Sequence, residues 1–453
     1  MTDVAVKPGP GRGAGRLERY FSLSERGTSA QTEVLAGFTT FLTMAYIVIV
    51  NPAILGQAGM PIAAVAAATC LAAGLGSILM GVIANYPIAL APGMGLNAYF
   101  TFTVVKGMGL PWETALGCVF LSGVAFLVLT VAGIRQLIVG AIPRPLFSAV
   151  AAGVGLFIAF IGLKEAGIIV ADPATTVALG DLTKPTAALS ILGLLVMGAL
   201  MAWRVKGAIL IGILVAAGAA WALGLAKIVP GEYGLAALTA TAFKLDVPAA
   251  LHLNGAVGMA LAEVIFVFLF VDLFDNVGTL VAVTKKAGLV QPDGTIPRLN
   301  RILTADSIAT IGGSLAGTST VVSYIESASG VAEGGRTGLT AVVVGVLFLL
   351  TLFFAPWVQA IPAAATAPAL IVVGSMMVGA LADVDWDDPS VAIPAFLTVI
   401  AIPLTFSIAN GLAFGITAYA GLTLLRGKAK PKDWLLFVLA GLFVIRFIYM
   451  GKA

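Results

Sequence analysis

The chain has 453 residues, 60% hydrophobic and 10% charged, where a soluble domain carries about 25% charged residues. Its net charge is +3, with one histidine and two cysteines. That leaves no basic tract dense enough for nucleic acid, no disulfide framework and no Cys–His set for a metal or a nucleophile.

Apolar runs recur from 36–50 to 435–448, and a helix needs about 20 apolar residues to cross a bilayer. Residues 1–32 hold Gly, Pro and Arg without an apolar core and read as a cytoplasmic tail, not a cleaved leader. Spanning or half-spanning segments are expected at 33–50, 62–86, 95–106, 115–133, 143–164, 187–203, 207–227, 257–283, 301–316, 325–335, 337–359, 367–383, 391–407 and 409–425. A further apolar helix at 434–449 follows a basic loop. The expected domains are the tail 1–32, a first repeat 33–227, a second repeat 257–425, and the basic loop with tail helix at 426–453.

Loop charges set the orientation. With Lys7, Arg12, Arg16, Arg19 and Arg26 in the cytoplasm, alternate crossings put Arg135, Arg144, Arg204 and Lys206 on the same side. Lys285, Lys286, Arg298, Arg301, Arg426, Lys428, Lys430 and Lys432 join them, while the opposite loops hold Asp172, Asp181, Glu232 and Asp246. This obeys the positive-inside rule, in which the acidic loop 382–390 counts for little. The protein is expected in the inner (plasma) membrane with its N-terminus in the cytoplasm. Cys70 and Cys118 lie inside apolar runs and read as small buried hydrophobes, and His252 has no Cys or His partner.

Two segments break the helical pattern. At 85–100, Pro87 and Pro92 forbid an unbroken helix. At 318–330, TSTVVSYIESASG favours an extended strand. Bare backbone polar groups cannot face lipid, so each break must lie within protein or line a cavity. Small residues precede both: Ala73, Ser77 and Gly81 before the first, Gly313 and Gly317 before the second. Paired interruptions in two halves point to a transporter's binding site near mid-membrane. Gly93-Met94-Gly95 and 312–319 resemble nucleotide loops, but no βαβ unit surrounds the first, and Thr318 stands where the second would need lysine.

A carboxylate at the centre of a span costs about 2.5–3.5 kcal/mol on the insertion scale, so the few present are informative. Glu326 opens the short helix after the second break, where free N–H groups suit an anion or an acceptor-rich ligand. Backbone amides beside Ser327 could serve such a ligand's acceptors. Without a ligand, Glu326 is simply a capping carboxylate. Asp272 and Asp275 stand three residues apart on one helix face and cannot both ionise cheaply. They are expected to bind a proton, unless they form a structural pair bonded to neighbouring backbone or Ser and Thr. Asn97 holds the matching place after the first break, where an amide can donate and accept at once, or can merely cap a helix. Thr40 and Thr43 are further candidates, although a mid-span Thr commonly bonds back to its own helix.

TEVLAGFTTFLTMAYIVIVNPAIL at 32–55, APGMGLNAYF at 91–100, FVDLFDNVGT at 270–279 and SYIESASGVAEGGRTGLTA at 323–341 resemble the AzgA-like adenine, guanine and hypoxanthine permeases of the nucleobase–ascorbate transporter superfamily. The resemblance implies an all-α membrane protein of fourteen segments in two inverted repeats of seven. It implies a core domain with two half-helices, each preceded by a short extended strand, and a gate domain that often pairs two copies as a homodimer. It also implies proton-coupled import of purine nucleobases without a cofactor. The family's substrate-site carboxylate falls on Glu326, its aspartates on Asp272 and Asp275, and its asparagine on Asn97. Substrate binding is thus expected at Glu326, Asp272, Asn97, Ser327 and Thr43, and proton coupling at Asp272, Asp275 and Glu326. An anion carrier or channel of the same general fold is the alternative, though three acidic residues at its site would disfavour anions. A membrane enzyme or receptor would need a nucleophile, metal cluster or soluble domain.

Overall fold

The computed structural model describes residues 15–133, 143–227, 234–252, 255–291 and 295–450. Lys7, Arg12, Arg135 and Glu232, used above to orient the chain, lie outside these residues. In chain order, α1 (Arg16–Phe21) precedes α2 (Ala30–Met44) and α3 (Ile47–Gly56), which together make one span. Then come α4 (Ile62–Leu79) with a π-helical end (Met80–Ala84), β1 (Leu90–Pro92), and α5 (Met94–Ala98) with a π-helical extension (Tyr99–Gly107). Next are α6 (Trp112–Val131), α7 (Arg144–Glu165), a hairpin of β2 (Ile169–Asp172) and β3 (Thr176–Leu179), α8 (Pro185–Ala202), α9 (Ala208–Ala222) and the short α10 (Val247–Ala250). The rest comprises α11 (Gly255–Lys286), α12 (Leu299–Ala316), β4 (Val321–Ser323), α13 (Ser327–Ala332), α14 (Gly338–Thr351), α15 (Ala363–Val378), α16 (Pro389–Thr405), α17 (Ile408–Leu425) and α18 (Trp434–Met450).

Among the described residues, nine helices are long and apolar enough to cross a membrane, and three more apolar helices are shorter. Each expected segment falls on a helix or on one of the two strand-and-helix breaks, and the tail segment 434–449 is α18. The β2–β3 hairpin was not foreseen. Its turn is made by Asp172, whose Oδ1 accepts from the amides of Thr175 at 2.9 Å and Ala174 at 2.8 Å. Those bonds, the Thr175 amide first, hold the exposed Asp172 carboxyl below its ordinary range.

The helices pack in two sets. One holds α2, α3, α4, α6, α11, α12 and α14 with the two breaks; the other holds α7, α8, α9, α15, α16 and α17. Within the first set, α4 and α14 cross at backbone distance through glycines. A Cβ on Gly338 would lie 2.0 Å from the Gly81 carbonyl oxygen, and one on Gly345 would lie 2.5 Å from that of Gly74. In lipid, where apolar burial between helices gains little, such close packing supplies the association energy. The Glu33 carboxylate, fully buried, seals the start of α14. It accepts from the amides of Arg336 at 2.8 Å, Thr337 and Thr340 at 3.2 Å, and from the Thr340 hydroxyl at 2.5 Å. Gly338→Ala should destabilise the protein by about 1–3 kcal/mol or more, because the clash is with backbone that cannot rotate away. Thermal unfolding in detergent checks this, and an unchanged midpoint would mean the crossing is looser than 2.0 Å implies.

Candidate functional site

The two breaks meet inside the protein. β1 and β4 pair antiparallel, with Leu90 opposite Ser323, Ala91 opposite Val322 and Pro92 opposite Val321. The Tyr324 amide extends the ladder to Ala89 O at 3.1 Å, and the Gly93 amide to Thr320 O at 2.9 Å. All residues of both strands are buried.

An isolated two-stranded ribbon leaves its outward polar groups unpaired, which lipid does not tolerate. The N–H and C=O of one strand residue point to the same side, so one hydroxyl can serve both. Ser77 of α4 accepts from Leu90 N at 2.9 Å and donates to Leu90 O at 3.1 Å. Thr310 of α12 accepts from Val321 N at 3.2 Å and donates to Val321 O at 2.8 Å. Two distant stretches of sequence thus use one device: the helix before each break clips the strand after it. Ser327 Oγ accepts from Ala89 N at 3.0 Å, and Asn276 Oδ1 accepts from Ser323 N at 2.9 Å.

Around the start of α13 the structure gathers several of the expected residues. Glu326, half-buried, accepts from the Tyr46 hydroxyl at 2.9 Å. Thr43 donates to Thr40 O at 2.7 Å, as a mid-span Thr commonly does, and also shares a hydrogen bond with Ser329 Oγ at 3.1 Å. Asp275 projects from α11, a helix that packs against α13, and is half-buried and without a hydrogen bond or ion pair among the described residues. Carboxylates, hydroxyls and a phenol together make a set rich in acceptors.

The other expected residues sit behind this cluster. Asp272 is buried and accepts from Asn276 Nδ2 at 2.7 Å. The same Nδ2 donates to Asp306 Oδ2 of α12 at 2.7 Å, so the amide joins Asp272 to Asp306 and not to Asp275. Asn97, fully buried, donates to Asn51 Oδ1 at 2.5 Å. Asn51 in turn donates to Thr69 at 2.7 Å and Thr318 at 2.9 Å, tying α3 to both halves. Among the described residues, the buried Asn97 Oδ1 has no hydrogen-bond partner. The Ser327 hydroxyl holds the ribbon, and the Ser327 and Ala328 amides turn back to Tyr324 O at 3.2 Å and Ile325 O at 2.9 Å. A separate cleft of about 270 Å³, lined by Gln57, Phe102, Lys106, Lys164, Glu165 and Phe406, contains none of the expected site residues.

Tyr46, Asn51, Asn276, Asp306 and Thr310 were not among the expected site residues. Asp306 carried a usable signal, being a carboxylate within the 301–316 span, and so did Asn51 in IVIVNPAIL. Nothing local marked Tyr46, which reaches Glu326 only through the fold.

A family model described as the permease family (Xan_ur_permease) matches residues 31–414. The chain belongs to this permease family. It is a multi-pass membrane transporter and not an enzyme, and the AzgA-like resemblance read from its motifs is borne out. A putative permease of Methanocaldococcus jannaschii is 49% identical over 96% of this chain and 99% of its own length. The adenine permease AdeP of Escherichia coli is 45% identical over 97% of each chain. The guanine/hypoxanthine permease PbuG of Bacillus subtilis is 45% identical over 96% of this permease and 100% of its own length. Among solved structures, the transmembrane domain of the cyanobacterial bicarbonate transporter BicA superposes with a TM-score of 0.59 at 17% identity. It covers 90% of this permease and 97% of that chain, and the likeness is one of fold.

Proposed function

We propose that this permease imports purine nucleobases (adenine, guanine or hypoxanthine) by proton symport, holding the base between α5 and α13 near mid-membrane. The observation that carries the reading is the Glu326 cluster beside a fully clipped ribbon. A purine base presents ring N–H donors next to ring-nitrogen and carbonyl acceptors. A carboxylate accepts from such N–H groups, while the Thr43, Ser329 and Tyr46 hydroxyls can donate or accept. The adenine and guanine/hypoxanthine permeases among the relatives support the same substrate class.

In this reading the chain forms fourteen segments in two inverted repeats, and the twin hydroxyl clips at Ser77 and Thr310 support the repeat. The helix set that holds the breaks is the core and the other set is the gate, through which two copies pair. The N-terminus lies in the cytoplasm of a cell whose inner membrane holds the protein. Uptake of radiolabelled bases into cells lacking their own permeases, with and without a protonophore, tests the proposal. No uptake of any purine base would overturn it, and uptake indifferent to the protonophore would remove the proton.

Asn97 serves the base from the α5 side, through the Oδ1 that has no partner among the described residues. Asn97→Ala should impair uptake while membrane insertion stays intact. A base-bound structure with Asn97 still turned wholly to Asn51, beyond water-bridged reach of the base, would count against it. The anion-carrier alternative draws on the fold shared with a bicarbonate transporter. Glu326 and Asp275 at the site oppose it by charge, and competition of purine uptake by bicarbonate would revive it.

A further inference from the structure

α7 belongs to the helix set without the breaks, where it packs on α15 and α16. Its glycines bring those neighbours to backbone distance. A Cβ on Gly155 would lie 2.7 Å from the Gly374 carbonyl oxygen, and one on Gly162 would lie 2.8 Å from that of Ala367. On the α16 side, a Cβ on Gly153 would lie 3.2 Å from Cα of Val399. Close approach of this kind holds helices together in lipid.

Between these flanks runs a stripe of Phe147, Val154 and Ile161, spaced by seven residues and so about two turns apart. The stripe meets the set that holds the breaks. The Phe147 ring stacks on Phe274 of α11, with centroids 4.0 Å apart and planes at 22°. Val154, only 2% exposed, fills the space beside Gly95 in the first turn of α5, where a Cβ would lie 2.3 Å from Val154 Cγ1. Ile161 lines the cleft with Gln57 and Phe102. α7 therefore touches the other set on the two helices that carry the site residues Asp275 and Asn97. Phe274 immediately precedes Asp275, and Gly95 lies two residues before Asn97.

We propose that α7 supplies the apolar wall of the base site, and that Val154 is a specificity-determining residue on it, limiting the size of base that the α5 side accepts. The inference rests on the purine reading, in which the base lies between α5 and α13. Small-molecule sites are lined mostly by apolar side chains, with a few polar groups that fix orientation. The Glu326 cluster supplies the polar groups. A flat heterocycle still needs an apolar surface, and at the start of α5 that surface is Val154. Gly95 offers none, and its missing side chain is what admits Val154. A β-branched side chain is stiff at χ1, and the glycine-packed flanks keep α7 from retreating. The wall cannot give way to a larger base.

Adenine, guanine, hypoxanthine and their singly methylated derivatives are titrated against purified wild-type protein, Val154→Ala and Val154→Ile. One methylene in an apolar pocket changes discrimination by about 10–200-fold. In Val154→Ala, at least one methylated base should gain at least tenfold in affinity relative to its parent, because its methyl group fills the vacated space. If Val154→Ala does not fold, Val154→Ile decides, and there at least one methylated base should fall at least tenfold further behind its parent. A side chain that served packing alone would lower the midpoint of thermal unfolding or weaken all bases alike, and would leave these ratios unmoved. Ratios that all stay within tenfold of wild type in the folded variant overturn the assignment of Val154 and leave the purine reading standing. Wild-type protein that binds none of the three parent bases overturns the purine reading, and the wall falls with it.

Discussion

Glu326→Gln should weaken binding of the base roughly tenfold to a hundredfold, with the protein still folded and inserted. The substitution keeps the shape of the side chain and one carbonyl oxygen, so the Tyr46 hydroxyl, 2.9 Å away in the native protein, retains an acceptor. What is lost is the charge and the second acceptor oxygen. In its place stands an NH₂ group, a donor facing the N–H of the base, so one hydrogen bond becomes a donor–donor contact. A hydrogen bond to a charged group is worth about 1.5–3 kcal/mol, and about 1.4 kcal/mol corresponds to tenfold in affinity. Equilibrium binding to purified protein reads the effect directly, separately from transport. Wild-type affinity in the folded variant would remove Glu326 from the site.

That Glu326 could be chosen at all shows what kind of information a membrane sequence carries. Carboxylates are so costly in a span that any present calls for an explanation, and the same reasoning reached Asp272 and Asp275, while Asn97 stood out by its matching place after the first break. The breaks were legible because proline and β-branched residues contradict a helix, and lipid forbids an open strand. Their pairing was not legible, since nothing in Leu90–Pro92 names Val321–Ser323 as its partner. The partition of the two aspartates was equally hidden. Their i, i+3 spacing says that they share a face, but not that Asn276 and Asp306 close over one and leave the other with no hydrogen bond among the described residues. Arg446 of α18 and Glu263 of α11, which pair at 2.6 Å, show a signal passed over. Both are charges inside apolar helices, and the rule that singled out Glu326 would have demanded a partner for each.

Asp272→Asn and Asp275→Asn should act on coupling, and the two should differ. Import against a gradient needs an ion, and the spans offer carboxylates but no histidine. Asp275 makes no hydrogen bond among the described residues and projects from α11, which packs against the helix that Glu326 opens, so in the symport reading proposed above a proton on either carboxylate relieves their repulsion. On that proposal the loaded core, neutral at this point, would cross the barrier more easily than a charged one. Neighbouring carboxylates titrate as a group, and the proton belongs to the group and not to one member. Binding of base and proton is reciprocal, so each tightens the other by the same factor. Asp275→Asn should therefore leave downhill exchange of purines intact while abolishing accumulation driven by a pH gradient. Asp272→Asn should be broader in effect. It places a second amide against Asn276, whose Nδ2 now bridges Asp272 and Asp306 at 2.7 Å each and whose Oδ1 holds the Ser323 amide of the ribbon at 2.9 Å. Base affinity should fall along with coupling. Proteoliposomes with an imposed pH gradient, read for both labelled purine and internal pH, distinguish these outcomes. If both variants still concentrate purines and still acidify the vesicle interior on uptake, the proton is carried elsewhere, with Glu326 the next carboxylate to test.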